Sequence, residues 1–510
     1  MKDQFFGKPF LNSLAMLLGA FVLAIPAYVY DFGWVVLLGM ACVFVVLTAW
    51  NPVLALGGVF LELISHPHGY LFSTEVPIHL SLRMVIFASF FLGYTVYLIR
   101  HKSLPTCSQF SIALLLPLGL AITIGFLRGF FLQDGMTAFQ DGNAYLYLLY
   151  AIPICSHVWN SSSRRLFLQI LSAGVVWNIL LSLGILYVFS HFSEAFLYEA
   201  YKFLRDIRLA EITNIGSGVY RVFIQSQFFT FAFGLLLIPY WFQQKNAGIV
   251  HQMLLLSGIV SVILLSLSRS FWIGLFAGCV VMGILLLKER YALRQWGRFT
   301  GIVLCALVLG VLSILVVSLF PFPTQKIGGD DLSRALRTRA QTDVAISSRW
   351  MLFDPMIDTI QQHPLLGNGF GASVTFISDD PRVRELHPDG RWTTYTMEWG
   401  WLELWLKMGV LGPLAFLWML VLLVYRFLSQ QKTDHTWISF GLVGGLVFLF
   451  ATHVFSPYLN HPIGLGFLLF SLVFLPDAQD QPQHKFAQSM MHIPQQIPVQ
   501  TSAFSLRVEE

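Results

Sequence analysis

The chain has 510 residues, 56% of them hydrophobic and only 11% charged, with a mean hydropathy of +0.68. That balance excludes a soluble globular enzyme, and a net charge of +4 without any basic run excludes nucleic acid as a partner. Five cysteines and the scattered histidines show neither a disulfide framework nor metal-ligand spacing, so no metal and no cofactor is expected.

A bilayer core of about 30 Å takes roughly 20 apolar residues per helix. Such stretches recur from Phe10 to Leu475, at about 10–30, 32–50, 52–65, 78–99, 109–127, 144–159, 166–190, 222–242, 247–268, 271–287, 299–320, 400–425, 437–455 and 460–476. They predict an all-α polytopic integral membrane protein of about 12–14 transmembrane helices, even in number. The pairs flanking Trp50-Asn51-Pro52 and Ser268-Arg269-Ser270 read as tight hairpins or re-entrant segments.

Lysine and arginine are retained on the cytoplasmic side of a membrane. Here Lys2, Lys8, Arg100, Lys102, Arg164, Arg165, Lys245, Lys288, Arg290, Arg294, Arg298, Arg426 and Lys432 all fall on one side of the alternation of spans. Both termini are therefore expected in the cytoplasm, and segments 191–221 and 321–399 on the opposite face. The first span has no small-residue cleavage pattern and reads as a retained helix.

Five regions follow. Residues 1–220 hold the N-terminal helices, with an amphipathic outer segment at about 194–213; 221–320 hold the central helices; 321–399 form a large periplasmic loop containing short helices; 400–476 hold the C-terminal helices; and 477–510 form a polar, disordered cytoplasmic tail. In the outer segment Phe196, Ala200, Phe203, Ile207 and Ala210 recur at helical spacing. It reads as an interfacial helix, either simply packed on the membrane or forming one wall of a lipid-accessible groove.

The large loop far exceeds what a helix hairpin needs, and long ordered loops carry function. Lys326 to Asp331 reads as a turn, and Arg334 to Arg339 as a short basic helix. Further on, Trp350, Phe353, Ile357 and Ile360 form a stripe behind a Ser347 or Ser348 cap, in a helix bent at Pro355 and ending at His363 before Pro364. Gly367, Gly369 and Gly371 then permit backbone turns that a side chain would obstruct.

The run Ser347-Ser348-Arg349-Trp350 through Pro364-Leu365-Leu366-Gly367-Asn368-Gly369-Phe370-Gly371, followed by Lys407-Met408-Gly409-Val410-Leu411-Gly412, resembles the bacterial O-antigen ligase and O-antigen polymerase superfamily. Arg221, with Gln225 and Gln227 after it, resembles the first arginine motif of that family, at the outer start of a span, and Ser268-Arg269-Ser270 resembles the second. The motifs cover about residues 210–476.

The resemblance implies a metal-independent glycosyltransferase of the bacterial inner membrane, acting in lipopolysaccharide or other surface polysaccharide synthesis. It would take a glycan from undecaprenyl diphosphate at the periplasmic face and pass it to an acceptor glycan or glycolipid, with membrane lipid around the site. Arg221, Arg269 and Arg349 are the candidates for holding the diphosphate, because a planar guanidinium makes bidentate phosphate contacts and stays ionised.

The ligases resembled here carry a histidine about eleven residues before the glycine matching Gly409, where this chain reads Met397-Glu398-Trp399. Glu398 is therefore a candidate catalytic base, with an ion-pair or helix-capping role as the alternative. His387 is a second candidate for the base. Trp392, Tyr395, Trp399, Trp401 and Trp405 serve either as sugar platforms or as an interfacial aromatic belt.

The ligase transfers a finished chain to an acceptor, whereas the polymerase joins lipid-linked repeat units, and an O-antigen or exopolysaccharide polymerase is the alternative reading. A lipid-linked oligosaccharide flippase or transporter is a further one. No internal repeat supports transport, and the polar groups gather at one face instead of the bilayer midplane.

Overall fold

A computed structural model describes residues 2–74, 80–216, 219–243, 249–323, 344–379, 381–429 and 436–475. After one turn, α1 (Lys2–Phe5), come α2 (Lys8–Val29), α3 (Gly33–Trp50) and α4 (Pro52–Ser65), then α5 (Leu82–His101) and α6 (Gln109–Leu132). The Asn51 side chain accepts a hydrogen bond from Leu54 N, and Pro52 sits in the first turn where its missing N–H costs nothing. The α3–α4 pair is thus a tight hairpin. Next, α7 (Gly135–Gly142), a 3-10 stretch (Asn143–Tyr150) and α8 (Ala151–Ser156) lead to α9 (Ser161–His191).

The chain continues through α10 (Glu194–Asp206), then α11 (Gln227–Gln243), α12 (Ile249–Ser266), α13 (Arg269–Lys288) and α14 (Leu293–Leu319). Beyond it lie α15 (Val344–Gln362), α16 (Pro381–Leu386), α17 (Gly400–Met408), α18 (Leu411–Leu428), α19 (Thr436–Thr452) and α20 (Pro462–Leu472). Among the described residues, eight helices are long and apolar enough to cross a membrane, and four shorter ones are apolar as well. This is an all-α polytopic membrane protein.

Burial separates the centre from the rim. In α9, 72% of the apolar window is buried, against 22% in α14, whose Leu304, Val308 and Val316 are exposed. An exposed aliphatic face of that extent fits lipid and not water. Helix α13 crosses α19 closely: a Cβ on Gly274 would come 2.1 Å from Thr452 Oγ1, and one on Gly278 would come 3.0 Å from Gly444 O. Small residues spaced by four let two backbones approach in this way, and the crossing fixes the start of α13.

Three two-stranded antiparallel hairpins are present that the apolar pattern did not reveal: β1 (Ser73–Thr74) with β2 (Leu80–Ser81), β3 (Glu211–Gly216) with β4 (Val219–Phe223), and β5 (Val374–Ile377) with β6 (Arg391–Thr394). They correct two expectations. The amphipathic helix stops at Asp206 because Arg208 adopts φ +51°, and residues 211–216 are strand. Its buried face is Leu197, Leu204 and Ile207, while Phe196 is exposed. Arg221 lies on β4 instead of at the start of a span, since α11 begins only at Gln227.

In the large loop, α15 ends at Gln362, one residue short of the expected His363, and it begins at Val344, so Ser347 and Ser348 lie within the helix and do not cap it. Its buried stripe is Leu352, Met356 and Ile360, packed with Val374, Met397 and Leu406, whereas Trp350 is exposed. The turn at Lys326 to Asp331, the basic stretch Arg334 to Arg339, Lys245, Lys432 and the tail after Leu475 lie outside the described residues.

Candidate functional site

The turn between α12 and α13 is the anchor of the site. Leu267 takes φ +44°, a left-handed conformation costly for a branched side chain, and here the helix breaks for two residues. Ser268 follows, its hydroxyl 3.2 Å from that of Ser270, and Arg269 opens α13 with its side chain exposed. The positive end of the α13 dipole lies at the same point. Arg221 reaches this turn from β4: its Nε donates to Ser266 O at 2.7 Å, and its Cζ stands 4.7 Å over the Phe223 ring. Two of the three arginines singled out in the sequence therefore meet at one turn.

The third is joined to them through aromatic and hydroxyl contacts. Ser456 Oγ donates to Ser270 Oγ at 2.9 Å, and the neighbouring Phe455 ring lies 5.5 Å from Trp399. Trp399 Nε1 donates to Arg349 O at 2.8 Å, and its ring lies 5.2 Å from Trp350. Arg349 in turn pairs through Nε with Glu398 Oε2, the two side chains being 30% and 54% exposed. Glu398 is thus a solvated carboxylate facing an arginine, not a carboxyl in an apolar pocket. That pairing is one of the two roles the sequence left open.

His387 belongs to the β5–β6 connection. It follows α16, donates its backbone N–H to Val383 O at 2.7 Å, and sets its ring 5.8 Å from Trp392 of its own hairpin. Among the other aromatics, Trp405 Nε1 donates to Pro364 O at 2.8 Å and Trp401 Nε1 to Phe450 O at 3.4 Å. Both act in packing.

The glycine run is a clamp. Gly367, Gly369 and Gly371 have φ of +74°, +83° and +83°, and a Cβ on Gly369 would meet Gly129 N at 2.3 Å. Phe370 N donates to Gly125 O at 3.0 Å, Asn368 N to Leu406 O at 2.7 Å, and Arg128 Nε to Gly367 O at 2.7 Å. The loop is thereby bolted at once to α6 and to α17.

Beneath the clamp lies a buried ionic cluster that the sequence reading missed. Lys407 Nζ donates to Asp141 Oδ1 at 2.5 Å and to Glu403 Oε1, with all three side chains no more than 4% exposed. Asp141 Oδ2 accepts from Gly371 N at 2.7 Å. The sequence signal was available, since a glutamate and a lysine four residues apart inside an apolar stretch mark an internal pair. Among the described residues no three histidine, cysteine, aspartate or glutamate side chains converge as a metal site.

The fold defines a polytopic membrane protein, and Arg221 and Arg269 at the α12–α13 turn, with the Arg349–Glu398 pair, form its candidate site. Comparison with known families narrows this: residues 253–417 match the model of the family described as O-antigen ligase, which supports the resemblance carried by the motifs within that stretch. No curated protein and no solved structure matches the chain. The matched stretch contains Arg269, Arg349, Glu398 and the glycine run, whereas Arg221 and Asp141 lie outside it.

Proposed function

We propose that this protein is a glycosyltransferase of surface polysaccharide synthesis, taking a glycan from a polyprenyl diphosphate at the periplasmic face of the bacterial inner membrane. Arg221 and Arg269 hold the diphosphate at the α12–α13 turn, assisted by the helix dipole. Arg349 completes the site, and its charge is drawn from Glu398 to the phosphate oxygens when donor enters. The freed Glu398 carboxylate accepts the proton of the acceptor hydroxyl as that oxygen bonds to the anomeric carbon. The bond from that carbon to the phosphate oxygen breaks, and the polyprenyl diphosphate departs with the electron pair, its charge met by the arginines.

The observation that carries this reading is the meeting of Arg221 with the Arg269 turn, linked through Ser456, Phe455 and Trp399 to the Arg349–Glu398 pair. A ligase, delivering a finished chain, and a polymerase, joining lipid-linked repeats, would use the same chemistry.

The test is turnover by purified protein supplied with lipid-linked glycan extracted from the host and an acceptor, without nucleotide sugar. Glu398→Gln should abolish most turnover while protein level and melting temperature hold, and Glu398→His should retain more, because imidazole serves as a base near neutral pH. Wild-type turnover by Glu398→Gln would remove the base from Glu398 and make His387 the next residue to test.

A further inference from the structure

The β3–β4 hairpin uses its two faces differently. Opposed residues of an antiparallel pair share a face, and successive pairs alternate. Thr213 opposes Arg221 and Asn214 opposes Tyr220. Arg221 therefore turns toward the α12–α13 turn, while Asn214 and Tyr220 turn away from it. On that second face, bounded by α10 and the end of α9, lies a shallow, open groove of about 400 Å³. Tyr198 and Tyr201 of α10, Tyr220 of β4 and Phe189 of α9 line it, together with Glu194 and Asn214. Two of the rings are presented, Tyr198 at 68% exposed and Tyr201 at 39%, while Tyr220 packs edge-on against the buried Phe189.

We infer that this groove is a saccharide-binding subsite, separate from the diphosphate site and divided from it by one hairpin. The inference rests on the proposed glycosyl transfer. Sugar rings offer an apolar C–H face and a rim of hydroxyls. Tyrosine answers both, with a flat amphipathic surface and a hydroxyl at its edge. Glu194 and Asn214 add the acceptor and donor groups that fix a polyol's orientation. A polyprenyl tail is the poorer occupant, because it would cover the Glu194 carboxylate and the Asn214 amide without returning a hydrogen bond. The saccharide comes either from the donor chain, beyond its first sugar, or from the acceptor chain, and the experiment separates these sources.

Two measurements test it. A benzophenone amino acid placed at Tyr198 and photolysed in living cells should yield an adduct whose mass spectrum contains sugar residues. A prenyl adduct, or none, would overturn the subsite. In the transfer assay, the Tyr198→Ala/Tyr201→Ala double variant should raise KM about fivefold for a multi-sugar substrate, with kcat nearly unchanged. The same substrate trimmed to one sugar should show no change, and Tyr198→Trp should retain wild-type KM. A KM rise confined to the lipid-linked donor assigns the donor chain, and one confined to the acceptor assigns the acceptor chain. An effect that follows prenyl length instead of sugar number refutes the proposal. A sugar adduct without any transfer would refute the enzymatic reading and leave the subsite standing, whereas transfer without a sugar adduct would do the reverse.

Discussion

Replacing Lys407 by methionine tests the buried ionic cluster directly. The side chain is 3% exposed and bridges Asp141 and Glu403, each 4% exposed, so its loss leaves two carboxylates facing one another out of water. Breaking a buried ion pair by removing one partner costs about 3–5 kcal/mol, mostly the penalty of stranding the remaining charge. A surface pair would cost about 0–1 kcal/mol. Asp141 also holds Gly371 N, so the damage should spread into the glycine clamp and lower transferase turnover.

The assay is apparent melting temperature in detergent, since large membrane proteins unfold irreversibly. Lys407→Met should melt far below wild type, and the triple variant Lys407→Met/Asp141→Asn/Glu403→Gln should recover most of the loss. The sign with pH follows from the charges that the substitution strands: protonating Glu403 and Asp141 removes them. The deficit of Lys407→Met should therefore shrink as the medium is acidified. A melting temperature at neutral pH indistinguishable from wild type, or a deficit that grows in acid, would refute the cluster's role.

Gly369→Ala should be destabilising by about 2–4 kcal/mol, because the new Cβ meets Gly129 backbone and φ stays positive, while Gly283→Ala, with open space around it, should be neutral or slightly stabilising by the same melting assay. Arg221→Lys, Arg269→Lys and Arg349→Lys should lose nearly as much turnover as the alanine variants, on the order of 2–4 kcal/mol of transition-state stabilisation, since the ammonium lacks the bidentate fork. Full activity in these lysine variants at normal expression would reduce the arginines to membrane anchors. Asp389→Cys, in a background stripped of the native cysteines, should react with an impermeant maleimide in outer-membrane-permeabilised cells; labelling only after lysis of the inner membrane would reverse the orientation.

The helical, membrane-spanning character was legible in the sequence because burial in lipid demands long apolar runs that satisfy their own backbone groups, and nothing else in a chain looks like that. Gly367, Gly369 and Gly371 were legible for a related reason, their spacing after Pro364 marking backbone that no side chain tolerates, although what they approach, α6 and α17, was not. The hairpins escaped notice because strands of two to six residues are too short to carry a clear periodic signal. Contacts among residues distant in the chain belong to the tertiary structure alone. Arg221 meets Ser266 across 45 positions, Arg349 meets Glu398 across 49, and Lys407 meets Asp141 across 266. Local sequence sets which helices form and what charges they bear. Helix crossings such as that at Gly274 decide which of those charges share a site.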